Sequence, residues 1–346
     1  MMMLFSAAML SAGLFAACAN SPEPRLAKSV TFRPLPQTMV YGDPVRTHAG
    51  KPFAKDPTVI RHGGRYLMYY SVMGYEKANC PPGQRPGHWT SAVAESRDLM
   101  HWTRLGEVSF APGKGPDGVV APCVKKFDGR IHIFAQGDPK PPAKVGRRDM
   151  IWHGTSEDGL HFTCPENMPM FVPKNGWAIP RAIDAEVYRV KDRMVLVFAT
   201  RESPGEKVQQ LGIADAPYGC SYEASCWREL SKDGPLLKPE LPWEMNCLEA
   251  ATVIERKGVY YLFYAGAYNH ERQQIGLAYS TDGYHYRRFS DKPVLPHGEP
   301  GSWNAWESGH PGVFQDDDGR VYLFYQGKAT LTGDYALSCL EVIFED

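Results

Sequence analysis

At 346 residues and a formal net charge of −1, with acidic and basic side chains interspersed, the chain lacks the basic stripe that nucleic acids or anionic membranes require. Aromatics make up 12% of it, accompanied by 33 glycines and 29 prolines, a composition that suits many short strands joined by turns rather than long helices or disorder. Nucleic acid is not an expected partner.

The chain opens with an apolar stretch from Met1 to Ala17 that ends in small residues ahead of a polar, proline-containing segment. That is the pattern of an export signal over residues 1–19, although it lacks the usual leading Lys or Arg. Leu14-Phe15-Ala16-Ala17-Cys18 resembles a bacterial lipoprotein cleavage box with an unusual Phe15. On that reading a lipidated Cys18 is the only membrane attachment; the alternative is ordinary cleavage after Ala19. The expected location is periplasmic, extracellular or lipid-anchored at a bacterial membrane. Seven further cysteines stand at 80, 123, 164, 220, 226, 247 and 339, so at least one thiol stays free. Cys220 and Cys226 flank a loop short enough for a disulfide, and no zinc spacing occurs.

Residues 28–346 read as one domain built on an internal repeat. Asp56 to Tyr70, Ala121 to Phe134, Asp184 to Phe198, Ala250 to Tyr264 and His310 to Tyr325 each consist of an apolar run, a turn and a second β-branched and aromatic run. Each predicts a β-hairpin. Their turn residues Gly64, Gly129, Asp192, Gly258 and Gly319 are spaced by 65, 63, 66 and 61 positions. A second motif alternates with the hairpins: Ser96-Arg-Asp-Leu-Met-His-Trp102, Ser156-Glu-Asp-Gly-Leu-His-Phe162 and Ser280-Thr-Asp-Gly-Tyr-His-Tyr286, with Cys226-Trp227 as a degenerate copy. Two hairpins per repeat give four antiparallel strands, and five repeats predict an all-β, five-bladed propeller. Residues 28–34 are placed to pair with the last blade and close the ring.

The first strand of each propeller blade lines the central channel, so residues opening these strands meet at one mouth. The aligned hairpins put Asp56, Ala121, Asp184, Ala250 and His310 there, with Glu249 immediately before its strand. An Asp before Pro is also a common turn former, and His310 could be an ordinary core histidine. Glu249, flanked by Cys247-Leu248 and Ala250-Ala251, is too apolar in setting for a casual surface acid. Glu186 shares the face of Asp184 by strand period and suits a structural role. Trp303 and Trp306, in the tryptophan-rich stretch before His310, are candidates to stack on a sugar or to wedge between blades. Arg181 and Arg201 are candidates to grip a hydroxyl or carboxylate.

These motifs, in this order, resemble the family 43 glycoside hydrolases and their five-bladed relatives in families 32, 62 and 117 across the whole mature chain. The resemblance implies that Asp56, in Lys55-Asp56-Pro57, is the general base and that Glu249 is the general acid. It makes Asp184, in Ile183-Asp184-Ala185-Glu186, the carboxylate that tunes the acid. Ala251 departs from the proline usual after the acid. His310 matches a histidine near a bound water or calcium ion, so a structural calcium is the only cofactor implied. Inverting hydrolysis needs an ionised base and a protonated acid roughly 6.5 to 9.5 Å apart, with a third carboxylate to raise the acid's proton affinity. The expected activity is exo-acting release of a terminal sugar, arabinofuranose or xylose. The alternatives are a phosphorylase or transglycosylase on the same scaffold, and a non-catalytic carbohydrate-binding propeller.

Overall fold

The five repeated hairpins form the inner two strands of five sheets: Lys55–His62 with Arg65–Val72, Pro116–Phe127 with Arg130–Pro139, Ile183–Val190 with Arg193–Thr200, Leu248–Arg256 with Val259–Gly266, and Glu307–Gln315 with Val321–Lys328. The computed structural model describes residues 23–346 except 113, 140–148, 166, 175, 204 and 206, so the expected signal and Cys18 lie outside the described residues. Third strands at Thr90–Ser96, Ile151–Ser156, Gln210–Pro217, Gln274–Ser280 and Ala336–Glu345 extend each sheet antiparallel. The result is a five-bladed β-propeller.

Outer strands complete blades 1, 3 and 4 at Thr103–Glu107, Arg228–Glu229 and Arg287–Arg288. In blade 5 that place is taken by Ser29–Pro34, which pairs from Ser29↔Glu345 to Pro34↔Leu340 and ties the start of the ring to its end. Blade 2 has the shortest outer strand: beyond its three long strands the fourth position is a Thr155↔Thr163 bridge, while His161–Phe162 pairs in parallel with Ser109–Phe110. Pro165, two residues past Thr163, has no N–H to extend that ladder.

The alternating Ser-x-Asp motif works as a local turn. In all three copies the serine hydroxyl accepts a backbone N–H three residues on, the aspartate accepts two more, and the histidine closes on the aspartate, as Ser96, Asp98 and His101 show. Such side-chain acceptors fix a turn without a partner strand. The aromatic that follows, Trp102, Phe162 or Tyr286, packs into a seam between blades. Apolar side chains fill the five seams separately, so each blade is held by its two neighbours. Cys220 and Cys226 are free thiols here, and the disulfide their spacing allowed is not formed.

Every innermost strand carries a bulge, toward its start or, in blade 2, midway along it, where two residues oppose one on the partner strand. The first bulged residue is Asp56, Ala121, Asp184, Ala250 or His310, all left-handed with φ between 40° and 54°. Asp and His tolerate this region better than most residues. The bulge kinks the strand, and it occurs at the five positions that the repeat alignment brought together. Ala251 occupies the second bulge position, as Pro57, Pro122 and Pro311 do in other blades and Ala185 does in blade 3, so its departure from proline leaves the backbone unchanged.

Candidate active site

Asp56, Asp184, Glu249 and His310 meet at one mouth of the channel. His310 is the link: its Nδ1 lies 2.8 Å from Asp56 Oδ1 and its Nε2 3.0 Å from Glu249 Oε1. Asp184, Glu249 and His310 each offer an atom within 4.8 Å of the other two. Glu249 is the second residue of its strand, one position before the bulge, rather than ahead of the strand as the alignment placed it.

The protein dictates a different protonation for each acid. Burial alone would raise the Asp56 carboxyl, but Lys55 and His310 more than offset it and hold Asp56 well below the usual range. Burial alone would lower His310, and Asp56 and Glu249 instead push it well above its ordinary value, so it sits as an imidazolium between two anions. Burial would also raise Glu249, yet His310 and Gln273 bring it below its ordinary value. Gln209 donates to its other oxygen. Asp184 has no such help. Burial, Glu249 and Asp56 push it up to about 7 against the pull of His310 and Arg181, and its Oδ2 is buried without a partner. Sequence reasoning expected the raised proton affinity on Glu249; it falls instead on Asp184, because the amide donors point at Glu249.

Side-chain amides hold the site, and sequence reasoning missed them. Gln209 Oε1 accepts from Arg181, which fixes its Nε2 toward Glu249. Gln273 Nε2 donates to both Glu249 Oε1 at 2.8 Å and the Ala267 carbonyl at 2.9 Å. Gln326 and Gln136 accept the bulge N–H groups of Asp56 and Asp184 at 3.1 and 2.9 Å. The signal was present: Gln209-Gln-Leu-Gly-Ile-Ala and Gln273-Gln-Ile-Gly-Leu-Ala are one motif repeated in blades 3 and 4. Glu307 was also missed. Fully buried three residues before His310, it accepts from Gln326 at 2.7 Å and from the Tyr335 hydroxyl at 3.1 Å, with Lys328 at 3.6 Å.

The remaining candidates divide. Arg181 is held between Gln209 and Asp149, and Arg201 lies over the Tyr268 ring. Trp303 is a packing residue: its ring rests on Tyr325 in the seam of blades 4 and 5, against Gly327, where a Cβ would come within 2.7 Å of it. Trp306 is half-buried, donates to the Glu271 carbonyl and lies beneath Arg272. The residues do not suit a calcium ion bound directly by His310. Both ring nitrogens already face carboxylates, the ring is cationic, and calcium takes six to eight oxygen ligands. Glu186 faces the channel below Asp184, paired to Lys125 at 2.8 Å. The channel here is a cavity of about 40 Å³ lined by Asp56, Asp184 and His310 as well as Glu186, room for little more than a water.

The chain matches the family described as Glycosyl hydrolases family 43 over residues 45–338. Among solved structures it is similar to a thermostable family-43 glycoside hydrolase, at 18% identity and TM-score 0.63, covering 85% of this chain and 90% of that one. An endo-1,4-β-xylanase from Bacteroides thetaiotaomicron aligns at 19% identity and TM-score 0.58, over 83% and 88% of the two chains. An α-L-arabinofuranosidase from Lactobacillus brevis aligns at 17% and 0.58, over 86% and 92%. A comparison with curated protein sequences found no match.

Proposed function

Since the chain belongs to glycosyl hydrolase family 43 and is therefore a glycosidase, we propose that it is an inverting, exo-acting one, with Asp56 as base, Glu249 as acid and Asp184 as the store of the acid's proton. The observation that carries this reading is the line Asp56–His310–Glu249 with Asp184 beside it. One imidazole and two hydrogen-bond lengths separate base from acid, which suits the roughly 6.5 to 9.5 Å of inverting pairs better than the roughly 5 to 5.5 Å of retaining ones.

Asp56 stays ionised and accepts the proton of the attacking water. In the free pocket one proton is shared by two neighbouring carboxyls and rests on Asp184. A sugar closing over them excludes water and competes for the donors that hold Glu249 as an anion, so the proton passes to Glu249 and from there to the leaving oxygen. The acids stand where the channel tapers to a small cavity, a dead end beneath a bound sugar, which supports an exo mode. A terminal arabinofuranose or xylose is supported by the arabinofuranosidase and xylanase among the similar structures. Arg181 and Trp306 are the side chains proposed to hold it.

Replacing the two acids separates the roles. Glu249→Gln removes the donated proton, so kcat/KM for poor leaving groups should fall about 10²- to 10⁴-fold, while activated aryl glycosides suffer less. Asp56→Asn should cost a similar factor on every substrate. Parental activity in either variant on the natural linkage would overturn the assignment.

A further inference from the structure

Most cations at the mouth are answered within the fold. Lys55 stands beside Asp56, Lys328 beside Glu307, His310 between Asp56 and Glu249, and Arg181 beside Asp149. Arg201 differs. It follows the second strand of blade 3, one residue past the Thr200↔Gln210 pair, and so lies next to Gln209, which donates to Glu249. Its guanidinium carbon is 5.6 Å from the centre of the Tyr268 ring, and its Nε is buried with no hydrogen-bond partner. The neighbouring Thr200 hydroxyl is buried and unpartnered as well, and no carboxylate among the described residues pairs with Arg201. A buried donor left without a partner is costly, and more so when it belongs to a charged group. Arg272, on the same rim, stacks on Trp306 and touches His297, again with no carboxylate partner among the described residues.

Building on the glycosidase reading, we propose that Arg201 selects a substrate carrying a carboxylate, as a uronic acid does, on a sugar adjoining the scissile bond. A guanidinium fork matches a planar carboxylate with two parallel hydrogen bonds. A neutral hydroxyl would fill the space and leave the charge unanswered. The wall that carries Arg201 also carries Gln209 against Glu249, which places the anion beside the acid that protonates the linkage.

The test uses the full chain and oligosaccharides with glucuronate or galacturonate next to the cleaved linkage, each beside its methyl ester and a sulfated analogue. The free acid should be cleaved with kcat/KM about tenfold or more above its ester, as a charge-assisted hydrogen bond implies. The ratio should collapse toward one in Arg201→Gln and recover in part in Arg201→Lys. Because acid and ester are compared in one preparation, the folded fraction cancels. Equal rates for acid and ester in the parent overturn the proposal, as do a ratio that survives in Arg201→Gln and a preference for the sulfated analogue. If no glycoside is cleaved, the hydrolase reading fails separately. Calorimetric binding of the same acid and ester then decides this proposal: an acid preference removed by Arg201→Gln supports it, and equal binding overturns it.

Discussion

The waist and the mouth of the channel are lined by the same five strands and are finished in opposite ways. At the waist, Thr58, Cys123, Glu186 and Thr252 each accept the backbone N–H of the next blade, at Val124, Val187, Val253 and Val313. The series stops at Gly312, where a Cβ would come within 2.1 Å of the Pro57 carbonyl and blades 5 and 1 close backbone to backbone. A few residues up the same strands, Asp56, Asp184 and His310 hold left-handed backbones, and Asp184 Oδ2 and Gln273 Oε1 are buried without partners. Strained backbone and unmade hydrogen bonds persist only where the surroundings over-determine them. The satisfied waist is what holds the unsatisfied mouth in place.

That contrast predicts that substitutions at the two levels act on different quantities. The largest effect on stability belongs to the waist. Glu186→Ala strips Lys125 of its partner and uncaps Val253, which should cost about 3 kcal/mol in denaturant unfolding while kcat per folded molecule stays near the parent's. A variant as stable as the parent with collapsed kcat would instead place Glu186 in the chemistry.

At the mouth the sign reverses. Asp184 is pushed up to about 7 in the folded protein, far above its value in an unfolded chain. It therefore favours folding fully below about pH 4, and that contribution is lost as pH rises through 7. Asp184→Asn keeps a residue that tolerates left-handed φ and carries no such proton. It should be more stable than the parent by on the order of 2 kcal/mol at pH 8, with the gap closing toward pH 4. Its activity should fall, and the alkaline limb of its pH profile should move toward acid as Glu249 loses its anionic neighbour. Equal stability of the two proteins at pH 8 would mean that Asp184 does not hold the proton.

The architecture was legible because the hairpin turns recur at near-constant spacing and the register within each hairpin is set locally. The blade alignment found Asp56, Asp184 and His310 for the same reason, since each occupies the bulge position of its repeat. Trp303 was ambiguous in sequence because a sugar platform and a seam wedge are both aromatics near the mouth, and Gly327 on another strand decides between them. How short the outer strand of blade 2 would be was not legible, because its motif fixes the turn and not the length of the ladder behind it. Gln209, Gln136 and Gln326 act on the next blade while Gln273 and Glu307 act within their own, and the Gln209 and Gln273 repeat was visible only once those two segments were aligned with each other. The location of Asp184's proton could not be read from residue types, since it depends on which way Gln209 and Gln273 point their N–H groups.

The central claim is that Asp56 and Glu249 act from opposite sides of the sugar, with water between base and substrate. Proton NMR of the first sugar released, recorded before mutarotation equilibrates it, tests that directly. The account predicts the anomer opposite to that of the cleaved linkage. First release of the retained anomer would contradict it, because retention requires a carboxylate close enough to bond the sugar covalently.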